Sequence, residues 1–178
     1  MTTGHLFILL LLPGLFSCNS AHEHRGNKKR PGKNEMAGLN KYMVQKDRER
    51  ILNYIDRKGL EMTESGTGLW YQIRSEGEGD YFRDGDRIVM KYQCDLLDGT
   101  KCYSSEETGP KELILGRSEM ESGLNQGIRL LKPGGEAVFI LPPYLAYGLV
   151  GDGKRIPSRA VIVYNINVKR PVNAGKGI

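Results

Sequence analysis

From Ile88 to Leu96 the chain alternates with a period of two. Ile88, Met90, Tyr92, Cys94 and Leu96 are interleaved with Val89, Lys91, Gln93 and Asp95. Successive side chains of a strand point to opposite faces, so this pattern fits a half-buried strand and fits no helix. Asp98-Gly99 follows at once and is a strong hairpin turn, after which Lys101 to Ser104 returns. Val161 to Val168 repeats the alternation, with Ile162, Tyr164, Ile166 and Val168 on one face. Leu69, Tyr71 and Ile73 interleave with Trp70, Gln72 and Arg74, and Glu112–Leu115 and Ala137–Leu141 add further strands. One short helix interrupts them. Ser118 and Glu121 have capping-box spacing, Met120, Leu124, Ile128 and Leu131 make its apolar face, and Pro133-Gly134 end it. Strands with a single inserted helix predict an α+β fold, an antiparallel sheet packed on one helix. A separate helix is expected from Met43 to Lys58, stopped by Gly59, with Val44, Ile51 and Ile55 as its apolar stripe. At 178 residues there is room for one domain with extensions.

The amino terminus reads as an export signal. Leu6 to Leu12 is apolar, Pro13-Gly14 interrupts it, and Leu15-Phe16-Ser17-Cys18 closes it. Such a run is too short to cross a bilayer of about 30 Å and fits a cleaved signal over residues 1–17. Leu15-Phe16-Ser17-Cys18 resembles the bacterial lipobox, which implies that Cys18 is lipidated and anchors the protein to a membrane by acyl chains. Residues 18–40 then form a flexible basic tether, residues 41–62 the N-terminal helix, and residues 171–178 a flexible tail. The formal charge is +5, and Arg25, Lys28, Lys29, Arg30 and Lys33 against Glu23 and Glu35 put most of it in the tether. The domain itself therefore lacks the basic face of a nucleic-acid binder.

Much site chemistry is excluded. His5, His22 and His24 are all the histidines, so the folded part has no Ser-His-Asp triad, Cys-His pair or His-ligated metal. No metal or cofactor is expected. Gly148 to Lys154 matches G-x-x-x-x-G-K, but Arg155-Ile156-Pro157 follows instead of Ser or Thr and a helix, so this is a surface loop. Asp80 to Asp86 lacks the spacing of a calcium loop. A two-residue turn at Asp98-Gly99 sets Asp95 opposite Cys102 and Cys94 opposite Tyr103. The thiols of Cys94 and Cys102 then lie on opposite faces, and a bulge would reverse that parity.

Lys91-Tyr92, Leu96 to Thr100, Leu115-Gly116, Gly123 and Gly127, Leu141-Pro142-Pro143-Tyr144-Leu145-Ala146-Tyr147-Gly148, Ile156-Pro157 and Val163 to Ile166 keep one order and spacing over the region from Met90 to Val168. Together they resemble the FKBP-type peptidyl-prolyl cis-trans isomerases. Gly66 to Tyr71 and the preceding helix are similar to the exported macrophage-infectivity-potentiator branch. The whole chain, lipobox included, most resembles the gliding-motility-associated lipoproteins of the family. The resemblance implies a twisted antiparallel sheet wrapped on one short helix over residues 63–170, with an N-terminal helical extension. It also implies proline-containing exported proteins as clients and a position facing the periplasm.

Carried over by residue, the resemblance implies Tyr92, Tyr147 and Tyr164 as catalytic residues and Cys102, Tyr103, Met120, Glu121, Leu124 and Ile156 as substrate-binding residues. Tyr147 would donate its hydroxyl to a substrate carbonyl, and the backbone N–H of Glu121 would donate to another. Tyr164 takes a position usually held by Phe. The family's Phe-Asp pair reads Cys102-Tyr103, its floor Trp reads Leu124, and an aromatic wall residue reads Lys111. These departures imply feeble activity on short peptides. Two readings stay open: a rotamase that helps exported proteins fold, and an FKBP-like scaffold that binds partners of a cell-envelope complex without turnover. A lipid-anchored solute-binding protein would need a longer chain.

Overall fold

The computed structural model describes residues 32–171. The leader, Cys18 and the tether up to Pro31 lie outside the described residues, as does the tail from residue 172. From Lys33 onward the order is α1 (Lys33–Lys58), β1 (Thr63–Glu64), β2 (Trp70–Ser75), β3 (Arg87–Leu96), β4 (Lys101–Ser104), α2 (Ser105–Thr108), β5 (Lys111–Ile114), α3 (Ser122–Ile128), β6 (Glu136–Leu141), a 3₁₀ turn at Pro143–Leu145, and β7 (Ile162–Lys169). The seven strands form one sheet in the order β1-β2-β6-β7-β3-β4, with β5 beside β3, and every pairing is antiparallel. The α+β expectation holds.

Both faces of this sheet carry apolar cover. Met90, Tyr92, Cys94, Ile162, Tyr164, Ile166 and Phe139 face α3 and meet Leu124, Ile128 and Leu131. On the other face Trp70, Val138, Ile140, Val161 and Val163 meet Ile51, Tyr54 and Ile55 of α1. Alternation along β6 and β7 is therefore apolar on both sides where α1 lies across them. Helix α3 reaches the sheet closely because Gly123 and Gly127 face it. A Cβ would stand 2.7 Å from Leu141 at the first position and 2.6 Å from Phe139 at the second.

Helix α1 starts at Lys33 rather than Met43, so residues 33–40 are helical and do not belong to a flexible tether. Lys33, Glu35, Met36, Ala37 and Leu39 are good helix formers, and polarity alone hid them. The stripe of α1 keeps Ile51 and Ile55 but not Val44. Val44 is exposed, while Asp47 is 4% exposed beside Ile51. Asp47 lies on the inward face because Arg159 pairs with it at 2.9 Å, and Arg50 adds a contact at 3.4 Å. A buried, paired carboxylate is invisible to a hydrophobic periodicity.

The hairpin contains a bulge. Cys94 faces Tyr103 as expected, but Asp95 faces Lys101, so Cys102 is the extra residue. Parity reverses, and both thiols enter the same core, buried and unbridged. The capping box is not formed either. The Ser118 hydroxyl accepts the Ile114 N–H at 2.8 Å and closes a turn, so α3 begins only at Ser122 with Glu121 as its N-cap.

Candidate active site

Strands β3 and β7 pair in register with Cys94 opposite Tyr164 and Tyr92 opposite Ile166. That places Tyr92 and Tyr164 on the α3 side, with ring centroids 6.2 Å apart and tilted by 55°. The segment after the 3₁₀ turn brings Tyr147 beside them, half-buried. Two adjoining cavities meet at Tyr147 and Lys111. One, of about 510 Å³, is lined by Met90, Leu113, Met120, Glu121, Leu124 and Ala146. The other, of about 430 Å³, is lined by Tyr92, Tyr103, Tyr164, Asp152 and Lys154.

Seven of the nine expected site residues thus line these two cavities. Cys102 and Ile156 line neither cavity. Both are buried in the core behind them, and the Cys102 thiol donates to the Arg155 carbonyl at 3.6 Å. Cys102 is drawn inward by the bulge. Ile156 is drawn inward by a loop closed on Asp152, whose carboxylate accepts the N–H groups of Lys154 and Ile156 at 2.9 and 2.8 Å.

The polar groups are specific. Tyr164, 2% exposed, donates its hydroxyl to Glu121 Oε1 at 2.7 Å. Burial, and then the Glu121 carboxylate, push the hydroxyls of Tyr147 and Tyr164 well above the ordinary phenol range. Tyr103 donates to Asp152, and that bond raises its hydroxyl in turn. Asp152 is partly desolvated, yet Tyr103 and the two N–H donors hold it below the usual carboxylate range. Burial raises Cys94 to about 12 and also raises Cys102. At neutral pH Tyr103, Tyr147 and Tyr164 therefore keep their protons, and the two thiols buried behind the site supply no thiolate nucleophile. Among the described residues no group of three or more His, Cys, Asp or Glu side chains could hold a metal ion.

Sequence reasoning missed the side-chain role of Glu121. The pairing of a Tyr at a position usually Phe with a Glu at the mouth of the pocket was the available signal. Lys111 was identified as a lost aromatic; its ammonium in fact lies over the Tyr92 ring, 4.8 Å from the centroid.

The family model for FKBP-type peptidyl-prolyl cis-trans isomerase matches residues 79–169. The chain belongs to this family. A probable FKBP-type peptidyl-prolyl cis-trans isomerase FkpA of Neisseria meningitidis serogroup B is 35% identical over 121 residues, which is 66% of this chain and 43% of that protein. A probable FKBP-type isomerase of Haemophilus influenzae is 33% identical over 112 residues, 62% of this chain and 46% of the relative. The chain spans less than half the length of these curated relatives. In fold it is similar to the crystal structure of FkpA from Escherichia coli, with a TM-score of 0.60 at 24% identity over 80% of this chain and 74% of that one. It is likewise similar to AtFKBP13, with a TM-score of 0.56 at 30% identity over 60% of this chain and 95% of that one.

Proposed function

We propose that this protein is an exported peptidyl-prolyl cis-trans isomerase that helps proline-containing client proteins fold. The observation that carries this reading is a tyrosine-walled cavity adjoining a second one lined by Leu124, with two hydrogen-bond donors beside them. One donor is the Tyr147 hydroxyl. The other is the backbone N–H of Glu121, which has no acceptor among the described residues.

Rotation about an X–Pro bond faces a barrier of about 18–20 kcal/mol. The twisted amide loses resonance and dipole, so water solvates it less well than the planar form. The two adjoining cavities, one walled by Tyr92 and Tyr164 and the other by Met120 and Leu124, remove water and so favour the twisted state over the planar one. A 10⁴–10⁶-fold acceleration corresponds to roughly 5–8 kcal/mol of such preference. Tyr147 and Glu121 line the same cavity. A substrate carbonyl accepts from the Tyr147 hydroxyl, while Tyr164 keeps hold of Glu121. No step requires a proton to leave the protein.

The alternative is an FKBP-like scaffold that binds without turnover, supported by Leu124, Cys102 and Tyr103 in place of the family's residues. Refolding of a protein limited by a proline bond separates the two. Wild type should accelerate it and Tyr147→Phe should lose about 2–12-fold, since one hydroxyl bond contributes roughly 0.5–1.5 kcal/mol. Equal refolding with and without the protein would favour the scaffold.

Location belongs to the same proposal. No described helix is long and apolar enough to cross a membrane. Anchoring is assigned to acyl chains on Cys18, facing the periplasm, with the gliding machinery as the client system its resemblance suggests. Cys18→Ser should shift the protein from the membrane to the soluble fraction; unchanged partition, with no lipid mass on the wild-type N-terminus, would refute the anchor.

A further inference from the structure

Lys111 is the one pocket residue that borders both cavities besides Tyr147. Its ammonium sits over Tyr92 and, among the described residues, forms no ion pair. Lys154 lines the same aromatic cavity, and among the described residues its ammonium also forms no ion pair. The cavity's single carboxylate, Asp152, is already occupied by Tyr103 and by two backbone N–H groups. Arg155, stacked on Tyr103, is neutralised by Glu107 at 2.9 Å. Lys111 and Lys154 together outweigh the Asp152 carboxylate, so the aromatic side is net cationic. The opposite cavity carries Glu112, Glu119 and Glu121. An acidic substrate side chain has a favourable side and an unfavourable one.

We infer that the site selects proline segments carrying Asp or Glu directly next to the proline, with Lys111 as the specificity-determining residue. The inference rests on the isomerase reading above and deepens it. Lys111 occupies a wall position where the resemblance expects an aromatic. There its exposed side chain holds the ammonium over the Tyr92 ring, at the junction of the two cavities. A neighbouring carboxylate would meet that charge where partial exclusion of water strengthens the attraction.

The test compares isomerisation rates of three peptides that differ only in the residue before proline: Glu, Gln or Lys. In low salt the full-length protein should turn over the Glu peptide about 2–5-fold faster than the Gln peptide, as expected for a partly exposed ion pair, and the Lys peptide slowest. Near 1 M salt, where the Debye length falls to about 3 Å, the order should collapse. Lys111→Glu should reverse the Glu-to-Lys order and Lys111→Met should level it. Lys58→Glu, the same charge change at the end of α1, should leave the order as in wild type. Equal rates for the three peptides in wild type, or preference for Lys, would overturn the inference while leaving the isomerase reading intact. Turnover of none of the three would remove the isomerase reading, and the inference with it. The wild-type salt series needs no variant, so a misfolded substitution cannot shelter the idea.

Discussion

Tyr164→Phe isolates one interaction that distinguishes this pocket from a wholly apolar one. The substitution keeps the ring that walls the cavity and removes the hydroxyl that donates to Glu121 at 2.7 Å. Tyr164 is almost fully buried, whereas Glu121 is half-exposed and can recover some hydration. A hydrogen bond to a charged group contributes roughly 1.5–3 kcal/mol when buried, so partial rehydration lowers the expected loss to about 1–2 kcal/mol. For a folded part of this size that corresponds to a melting temperature lower by about 3–8 °C. Chemical denaturation at pH 7 should show the midpoint shifting with an unchanged slope. The second arm is Glu121→Leu in the Tyr164→Phe background. Replacing both partners with apolar groups removes the stranded carboxylate, so the double variant should be less damaged than the sum of the singles. A coupling energy of about 1 kcal/mol or more is expected from the double-mutant cycle. A neutral Tyr164→Phe together with strictly additive singles would refute the claim that Tyr164 holds Glu121 in place.

Two further outcomes follow from the thiols and the phenols. Cys102 is buried behind the cavity and its thiol is raised, so Cys102→Ser should retain most of the isomerase rate, and the acceleration should stay flat between about pH 6 and 8. A lost rate in a folded Cys102→Ser protein, tracking thiol ionisation, would contradict the desolvation mechanism. Burial pushes the Cys94 thiol up to about 12 in the folded protein, against 9.0 for an unhindered thiol. Above pH 9 the unfolded chain releases this proton and the folded chain does not, so stability is full below about 9 and falls as pH rises towards 12. The slope for one proton is about 1.4 kcal/mol per pH unit. Because Tyr147 and Tyr164 are raised as well, Cys94→Ala should reduce the alkaline loss without abolishing it, as read from urea midpoints at pH 8 and 10.5.

The strands were legible because a half-buried sheet writes its period directly into the chain. Ile88 to Leu96 and Val161 to Val168 needed no tertiary information. The errors arose where one polar atom chose a tertiary partner. Ser118 serves the Ile114 N–H rather than a helix start, Asp47 turns inward because Arg159 meets it from 112 residues away in sequence, and Cys102 bulges out of register. None of these depends on hydropathy. Positions of Tyr92 and Tyr164 in the pocket followed from the resemblance together with strand parity, and that of Tyr147 from the resemblance alone. The contacts of Glu121 and Lys111 did not, since the partner of each, Tyr164 or Tyr92, lies on a different element of the fold.

The central claim is that the cavity lowers the rotation barrier of an X–Pro bond and does more than bind it. Exchange NMR on a Leu-Pro peptide reads both properties in one sample. The account predicts magnetisation transfer between the cis and trans proline signals that rises with catalytic amounts of wild-type protein and falls about 2–12-fold with Tyr147→Phe. Line broadening or shift changes that report binding, with cis–trans exchange no faster than in the free peptide, would contradict it and leave a scaffold.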